Sequence, residues 1–269
     1  MTLAKALLFA LPLTIPLTLS PSPLRGEGGG EGSALRVVGT LDQVRGQVER
    51  VRAADGQVVA GTAFMPLFEG DVLRLGAGAA TLIVLDDGTV LKMDGPAEMK
   101  IEALRLSRQA AEREFGFRVR MGRLLAAVQK WKGQSKFSVK TPVMTIAIRG
   151  TDFAVDVATD TKVGVFEGEV AVQGAAESGT PAGTEQVLAE NQEATASPGG
   201  EVALQRFLSA AMEKERRRMQ IVRDYADRVR KRLAERESYL QEQIQKQGQK
   251  IKDWEERRRK TIERLHEPR

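Results

Sequence analysis

The chain has 269 residues, a formal net charge of +5, a single histidine and no cysteine. Without cysteine it can form no disulfide, thiolate nucleophile or cysteine metal site, and with His266 as its only histidine it cannot build a His-dependent triad or a multi-histidine metal site. The charge is uneven, because residues 1–200 sum to −2 and residues 201–269 sum to +7. The composition therefore disfavours an enzyme and places the basic character in the C-terminal tail.

Residues 1–20 have the pattern of a secretory signal peptide, with one early positive charge at Lys5 and an apolar run over Ala6–Leu19. That run is shorter than the roughly 20 residues that cross a bilayer as a helix, and it contains two prolines. Residues 21–34, rich in Gly, Pro and Ser, predict a flexible linker. We therefore predict an exported, periplasmic protein, and the alternative is a cytoplasmic protein whose start is mis-assigned.

Residues 35–196 contain short apolar runs with period-2 alternation, separated by turn residues. Thr81–Leu85 and Thr89–Met93 flank Asp86-Asp87-Gly88, which is a strong hairpin signal because both turn positions need a positive φ. Turn signals recur about every 8–12 residues, which is typical of a sandwich, a barrel or a solenoid and not of βαβ units. The segment is therefore predicted to be mainly β.

Further strands are predicted along the rest of this domain. They are Glu98–Leu106, Phe115–Val119, Leu124–Val128, Phe137–Val139, Val143–Ile148, Asp152–Val157, Lys162–Phe166 and Glu169–Gln173. Asp94-Gly95-Pro96 is expected to break the chain between two strands. Ser107–Glu114 is polar and helix-prone, and we expect it to form an excursion on the surface.

A series of short motifs runs through this domain in a fixed order. They are Gly46-Gln47-Val48, Glu69-Gly70-Asp71-Val72, Leu85-Asp86-Asp87-Gly88-Thr89, Met121-Gly122-Arg123-Leu124, Phe137-Ser138-Val139-Lys140-Thr141-Pro142, Arg149-Gly150-Thr151-Asp152-Phe153, Val165-Phe166-Glu167-Gly168-Glu169-Val170 and the closing Val187–Gln192. Together they resemble the FecR domain family over about residues 38–200. The resemblance implies a β-solenoid or sandwich-like domain that binds and transmits instead of catalysing.

The family motifs supply the candidate site residues, which we interpret as mainly structural. They are Gly70, Asp71, Asp87, Gly88, Thr141, Pro142, Arg149, Gly150, Thr151, Glu167 and Gly168. The glycines suit strand ends, Thr141-Pro142 stops a strand, and Asp71 and Thr151 can bond turn amides. Arg149 either ties two turns together or holds an anion or a partner carboxylate. No catalytic, metal or cofactor site is predicted.

Residues 201–267 are predicted to form one long charged helix that starts at about Ala203. Its apolar positions form a seam that changes phase once, as in a coiled-coil stutter. They are Met212, Met219, Val222, Ala226, Val229, Leu233 and Leu240, then Ile244, Ile251, Trp254, Ile262 and Leu265. A coiled coil over about 205–265 is the leading interpretation, and a helix packed along the β domain is the second.

Two other interpretations of this helix rest on its basic clusters. Nucleic-acid binding is disfavoured because acidic residues alternate with the basic ones, as on a solvated face. Contact with an anionic membrane surface is more plausible for an exported chain. A complete transmembrane sigma-factor regulator is not expected, because the segment before residue 35 is short and contains no credible span.

The function that follows is binding and signal transmission in the cell envelope. We expect the β domain to hold a protein partner and the tail to oligomerise or dock. The alternative is a structural envelope scaffold in which the helix acts as a spacer.

Overall fold

The computed structural model describes residues 39–107, 110–175, 181–199 and 201–266, and the predicted signal peptide and linker lie outside these ranges. In the described part, sixteen strands precede one helix. The strands are β1 Gly39–Arg45, β2 Val48–Val51, β3 Val58–Ala60, β4 Pro66–Leu67, β5 Val72–Leu75, β6 Ala80–Leu85, β7 Val90–Ser107, β8 Glu112–Ala127, β9 Gln134–Lys140, β10 Met144–Ile148, β11 Asp152–Val157, β12 Thr161–Glu167, β13 Val170–Ala175, β14 Pro181–Leu188, β15 Glu193–Ala196 and β16 Ala203–Gln205, and the helix is α1 Ala210–His266.

All strands belong to one open sheet, which two long strands, β7 and β8, fold into two layers. Layer 1 follows the order β3-β2-β5-β7-β8-β9-β10-β13-β14, and layer 2 follows β4-β1-β6-β7-β8-β11-β12-β15-β16. The first half of β7 pairs with β6 and the second half with β5, while β8 pairs with β9 through its first half and β11 through its second. Each long strand therefore contributes to both layers.

Glycines allow the two long strands to bend where they pass between the layers. The β7–β8 pairing is irregular between Asp94 and Glu98. A Cβ atom on Gly95 would lie 2.1 Å from a backbone oxygen of Gly76, and Gly122 has φ +100°. The predicted break at Asp94-Gly95-Pro96 is thus a bend within one strand, because glycine tolerates both the close approach and the positive φ.

The predicted surface excursion at Ser107–Glu114 holds only for the tip of a hairpin, where residues 110–112 are exposed. β7 ends at Ser107 and β8 begins at Glu112, so the segment is mainly the end of a hairpin, of which residues 108 and 109 lie outside the described ranges. Its side chains are not all exposed, since Arg113 is almost completely buried. Pairing along the long β7–β8 ladder overrides the local helix propensity of this polar stretch.

One hydrophobic core lies between the two layers and contains residues from both. Its largest fully buried side chains include Phe115, Phe117, Phe137 and Phe153. Face-to-face packing of this kind describes a sandwich and not a solenoid, in which each repeat contacts only its neighbours. The solenoid alternative is therefore wrong: all strand pairs are antiparallel except β8–β9, and β8 contacts strands on both sides that are distant in sequence.

Helix α1 packs against the outer face of layer 2. The helical residues Met212, Met219, Val222, Ala226 and Val229 form a second buried cluster with Leu82, Val90, Leu125, Ala127, Ala154 and Phe166. The coiled-coil interpretation is therefore wrong for the first half of the seam, which packs on its own β domain as the second interpretation proposed. The sheet face offers enough apolar area to cover this stripe without a partner chain.

The helix begins at Ala210, later than the predicted start, because residues 203–205 form strand β16. The Ser209 hydroxyl accepts a hydrogen bond from the Met212 amide at 3.4 Å, and the buried Glu193 carboxylate accepts one from the Ser209 amide at 2.7 Å. Such contacts satisfy amides that a helix start leaves without partners.

We call residues 234–266 the arm. The helix passes through Gly248 without interruption, and Leu240, Ile244, Ile251 and Trp254 are exposed along it. In the part of the chain that the structure covers, no helix is long and apolar enough to cross a membrane.

Candidate functional site

The outer face of layer 1 carries an open groove of about 980 Å³. Strand register aligns small side chains in one row across the floor of this groove. From one strand to the next the row contains Ala103, Gly116, Ser138, Ala147, Ala171 and Val187. Neighbouring strands are about 4.8 Å apart, so the floor is about 24 Å long. Small residues on five of the six strands make this row lower than the charged rows on either side.

One wall of the groove contains a compact ion-pair cluster. The Arg118 Nε donates to the Glu102 carboxylate at 2.6 Å, and the Lys140 Nζ lies 2.9 Å from its other oxygen. Burial alone would raise the pKa of Glu102, but the hydrogen bonds from Lys140 and Arg118 outweigh it and hold the pKa below its ordinary value. Two cations share one carboxylate here, which leaves this wall with an excess of positive charge.

The opposite wall contains Arg105, Glu114, Lys136, Arg149 and Glu169. Arg105 pairs with Glu114 at 3.2 Å and also with Glu69. Lys136 and Arg149 have no ion-pair partner among the residues that the structure covers, and the Glu169 carboxylate likewise has none. The groove therefore presents two free cations and one free acid beside an apolar floor.

The sequence had identified Arg149 as the candidate with an alternative role as an anion or carboxylate ligand. The structure places it exposed, on the groove wall, immediately after β10. Lys136 was not identified, although its position two residues from Ser138 on a strand puts both side chains on the same face. No three His, Asp or Glu side chains in the described ranges are close enough together to hold a metal ion.

Four of the family-motif glycines lie outside the groove floor, at turns. Gly70, Gly88, Gly150 and Gly168 have φ values of +89°, +87°, +64° and +85°. These are backbone conformations that other residues adopt only with strain. All four lie beside strand ends in the structure.

Asp71 lies buried where β5 begins. Its carboxylate accepts hydrogen bonds from the amides of Ala53 at 3.0 Å and Phe68 at 2.9 Å, and Arg50 lies 2.7 Å from it. The carboxylate thus ties two turns to a neighbouring strand. We interpret Asp71 as structural, because all these contacts are internal.

Asp87 forms a buried ion pair with Arg113, at 2.5 Å, with both side chains almost fully buried. Asp87 also accepts hydrogen bonds from the amide and hydroxyl of Thr89 at 2.8 and 2.9 Å. Arg113 in turn donates to the Gln129 carbonyl and to Ser135. This pair fixes the β6–β7 turn against the start of β8, and the sequence analysis missed Arg113 because it lies in the polar stretch predicted as an excursion.

The remaining motif residues lie in two turns at opposite ends of β10. Thr141 bonds Met144 through its hydroxyl and receives a hydrogen bond from the Thr161 hydroxyl at 3.1 Å. Pro142 is exposed in the turn between β9 and β10. The Thr151 hydroxyl donates to the Glu169 carbonyl at 2.7 Å. These contacts connect turns within the domain.

Arginines of α1 hold the helix on layer 2. Arg218 lies 2.7 Å from the Asp94 carboxylate, and Arg230 donates to the carbonyls of Gly88 and Ala127, both at 3.2 Å. These basic residues are already committed to the chain's own sheet. The nucleic-acid alternative therefore loses part of the charge on which it rested.

Arg223 binds Asp152 and lies 3.4 Å from Glu167, so the family-motif acid Glu167 contacts the helix. Desolvation raises the pKa of Asp152 above its ordinary value, although the hydrogen bond from Arg223 opposes the rise. On the same helix, the Tyr225 hydroxyl donates to Asp42. Burial, and then this hydrogen bond, raises the pKa of the Tyr225 phenol.

Residues 71–171 match the family model described as FecR protein. This segment is similar to the FecR protein family. The predicted resemblance is thus confirmed, and the matched residues contain five of the six floor positions, Ala103 to Ala171, as well as the Asp87–Arg113 pair.

Solved structures with a related outline come from Parabacteroides distasonis ATCC 8503. Two crystal structures of a candidate anti-sigma factor, at 1.65 and 2.50 Å resolution, are similar at 18% and 17% identity, each with a TM-score of 0.41. The similarity covers 51% of this chain and 59% of that one, so the chain spans less than two thirds of the solved protein. No curated protein matches the sequence.

Proposed function

We propose that the protein is an exported, non-enzymatic component of the cell envelope that holds a protein partner in the layer 1 groove and transmits this binding as a signal. The supporting observation is the contrast between the two outer faces. α1 covers the outer face of layer 2, whereas the outer face of layer 1 carries an open groove with unpaired cations. A FecR domain is a regulatory module, which is consistent with a binding role.

The groove dimensions suit one secondary-structure element of a partner. Its walls lie two residues to either side of the floor, hence about 13 Å apart along the strands. A helix with side chains is about 10–12 Å wide, so one helix or one extended segment can lie along the floor. The small floor residues would accept large apolar side chains, and Lys136 and Arg149 would pair with partner carboxylates. We therefore propose a partner segment that is amphipathic and acidic.

A second candidate function is a structural scaffold, which the arm favours. The arm is a continuous helix of 33 residues, about 50 Å at 1.5 Å per residue, and can act as a spacer. The two functions differ in which surface matters, because a scaffold needs the arm but not the groove. Both proposals assume that the signal peptide is cleaved and that the linker follows it. Cell fractionation, combined with the mass of the mature N-terminus, tests this export.

The groove is tested by site-specific photo-crosslinking in cells that produce the full chain. A photoreactive residue replaces Ala147 on the groove floor, and a matched variant carries it at Gln220, an exposed position on α1. We expect a defined adduct with one envelope protein from position 147 and not from 220. Equal or absent crosslinking from the two positions would remove the groove from the proposal and leave the scaffold.

A further inference from the structure

The arm presents large apolar side chains that the β domain leaves uncovered. Leu240, Ile244, Ile251 and Trp254 are 49%, 69%, 57% and 55% exposed. Their spacing of four, seven and three residues is the a/d pattern of a heptad, with Ile244 and Ile251 at a, and Leu240 and Trp254 at d. Exposed apolar groups in such an order indicate a helix–helix interface.

This stripe only partly continues the one that contacts layer 2. Leu240 and Trp254 extend the seven-residue series of Ala226 and Leu233, which pack on the sheet, whereas Ile244 and Ile251 depart from the sheet-facing positions. The body-facing positions Val222 and Val229 recur every seven residues, and the series continues to Arg236, Gln243 and Lys250, which are polar. Ile244 and Ile251 each lie one residue later, which is about 100° around the helix. The arm therefore does not simply continue the surface that docks on the sheet, and its apolar stripe calls for another partner.

We propose that two copies of the chain associate through a parallel two-stranded coiled coil of their arms, which deepens the oligomerisation part of the proposed function and rests on it. β-Branched isoleucine at a with leucine at d favours two strands in a parallel dimer. Gln247 takes a d position between Leu240 and Trp254, and the a positions that flank Ile244 and Ile251 are the charged Glu237 and Arg258. Polar residues at core positions fix register and oligomer state at a cost in stability.

Charge selects the parallel orientation. The g positions Gln243, Lys250 and Arg257 are neutral or basic, and the e position Glu255 is acidic. In a parallel pair each g residue faces the e residue five positions later on the other chain, so Lys250 faces Glu255 twice in the dimer. An antiparallel pair sets the g rows against each other, which opposes basic side chains and is unfavourable.

A parallel coil places both β domains at the same end, so two grooves are presented together. A partner with two docking segments, or two partners in one assembly, then gains from effective concentration. Without new contacts in either groove, binding becomes tighter than one groove alone provides. Dimerisation would in this way tune the sensitivity of the proposed recognition.

The association is tested by measuring the mass of the full chain over a range of concentrations by light scattering or sedimentation. We expect a concentration-dependent dimer. Ile251→Glu is expected to give a monomer, whereas Gln249→Glu, which adds the same charge on the outer f position, should leave the dimer intact. A monomer at all concentrations, or equal masses for both variants, would overturn the proposal.

Orientation is tested with introduced cysteines, which are informative because the chain has none. In a parallel, in-register pair, Ile244→Cys brings its two sulfurs within disulfide range, whereas Gln249→Cys on the outer face does not. Efficient oxidation at 244 and not at 249 is expected. A dimer that resists oxidation at 244 would overturn the parallel arrangement. Neither result depends on the crosslink from position 147, so a failure of the proposed groove function can be distinguished from a failure of the proposed dimer.

Discussion

The docking of α1 on layer 2 is testable through a single buried valine. Val222 is fully buried between the helix and the sheet. Val222→Ala removes two methyl groups, which costs about 1.6 kcal/mol at about 0.8 kcal/mol for each buried carbon. A cavity that the surroundings fail to fill increases the loss toward about 2.5 kcal/mol, because each Å³ of residual void costs about 24 cal/mol.

The neighbouring Ile221 is a matched control, because it lies on the same turn and is 68% exposed. Ile221→Ala also replaces a β-branched residue with alanine, so the gain in helix propensity is similar in both variants and cancels in the comparison. With little burial to lose, Ile221→Ala should change the free energy of unfolding by no more than about 0.5 kcal/mol.

Urea unfolding of both variants, read by circular dichroism, measures this difference. Hydrogen exchange of the amides in residues 210–233 then shows whether the helix separates from the sheet before the sheet unfolds. We expect Val222→Ala to lower the unfolding midpoint and to speed exchange in this segment. Equal effects of the two substitutions, or none from Val222→Ala, would refute the docking of α1 on layer 2.

Three further results are expected from other parts of the domain. Arg113→Met leaves Asp87 buried without its charge partner and should lower the free energy of unfolding by about 3–5 kcal/mol in the same assay; a loss below 1 kcal/mol would contradict the buried pair. Burial, and then the hydrogen bond to Asp42, raises the pKa of Tyr225, so the neutral phenol contributes stability that is fully present below about pH 10 and is lost as pH rises through the folded pKa. Tyr225→Phe should therefore remove that part of the alkaline destabilisation, and an unchanged pH profile of unfolding would count against it. With the photoreactive residue moved to the neighbouring floor position Ser138, Ala147→Arg should change the free energy of unfolding by less than about 0.5 kcal/mol yet abolish partner crosslinking, and retained crosslinking would separate the groove from recognition.

Continuous apolar runs in some strands of the sequence indicate where the helix docks, and a search for period-2 alternation alone overlooks them. Strands of layer 1 alternate strictly, as in Gln134–Lys140, where every second residue is more exposed. The central strands of layer 2 are buried on both faces, and Thr81–Leu85, Leu124–Val128 and Val163–Phe166 read as continuous apolar runs. Such runs predict that another element covers the second face. The only long apolar stripe elsewhere in the described chain is that of α1, so its docking site was in principle predictable.

The bends of the two long strands were less accessible from the sequence. Gly95 and Gly122 each fit an ordinary turn, and nothing local distinguishes a turn between two strands from a bend within one. The difference depends on which strands pair on either side, and β7 and β8 pair with different partners at their two ends. The burial of Arg113 was missed because it, too, depends on a partner that is distant in the sequence. A polar residue in a polar stretch predicts exposure, and only the position of Asp87 across the hairpin explains its burial.

The groove and the arm are separated by the architecture, which has a consequence for regulation. α1 lies on layer 2, the groove opens on the opposite layer, and the hydrophobic core lies between them. The polar contacts that hold α1 on layer 2 end on Asp94, Asp152 and Asp42, and none of these residues lines the groove. The groove and the helix contacts share no residue, so changes at one are expected to add to changes at the other without coupling. A partner bound in the proposed groove would therefore not displace the helix, and the proposed pairing of arms would bring a second groove alongside the first. The signal would then be carried by how many grooves are occupied in one assembly and would not require a rearrangement within one domain.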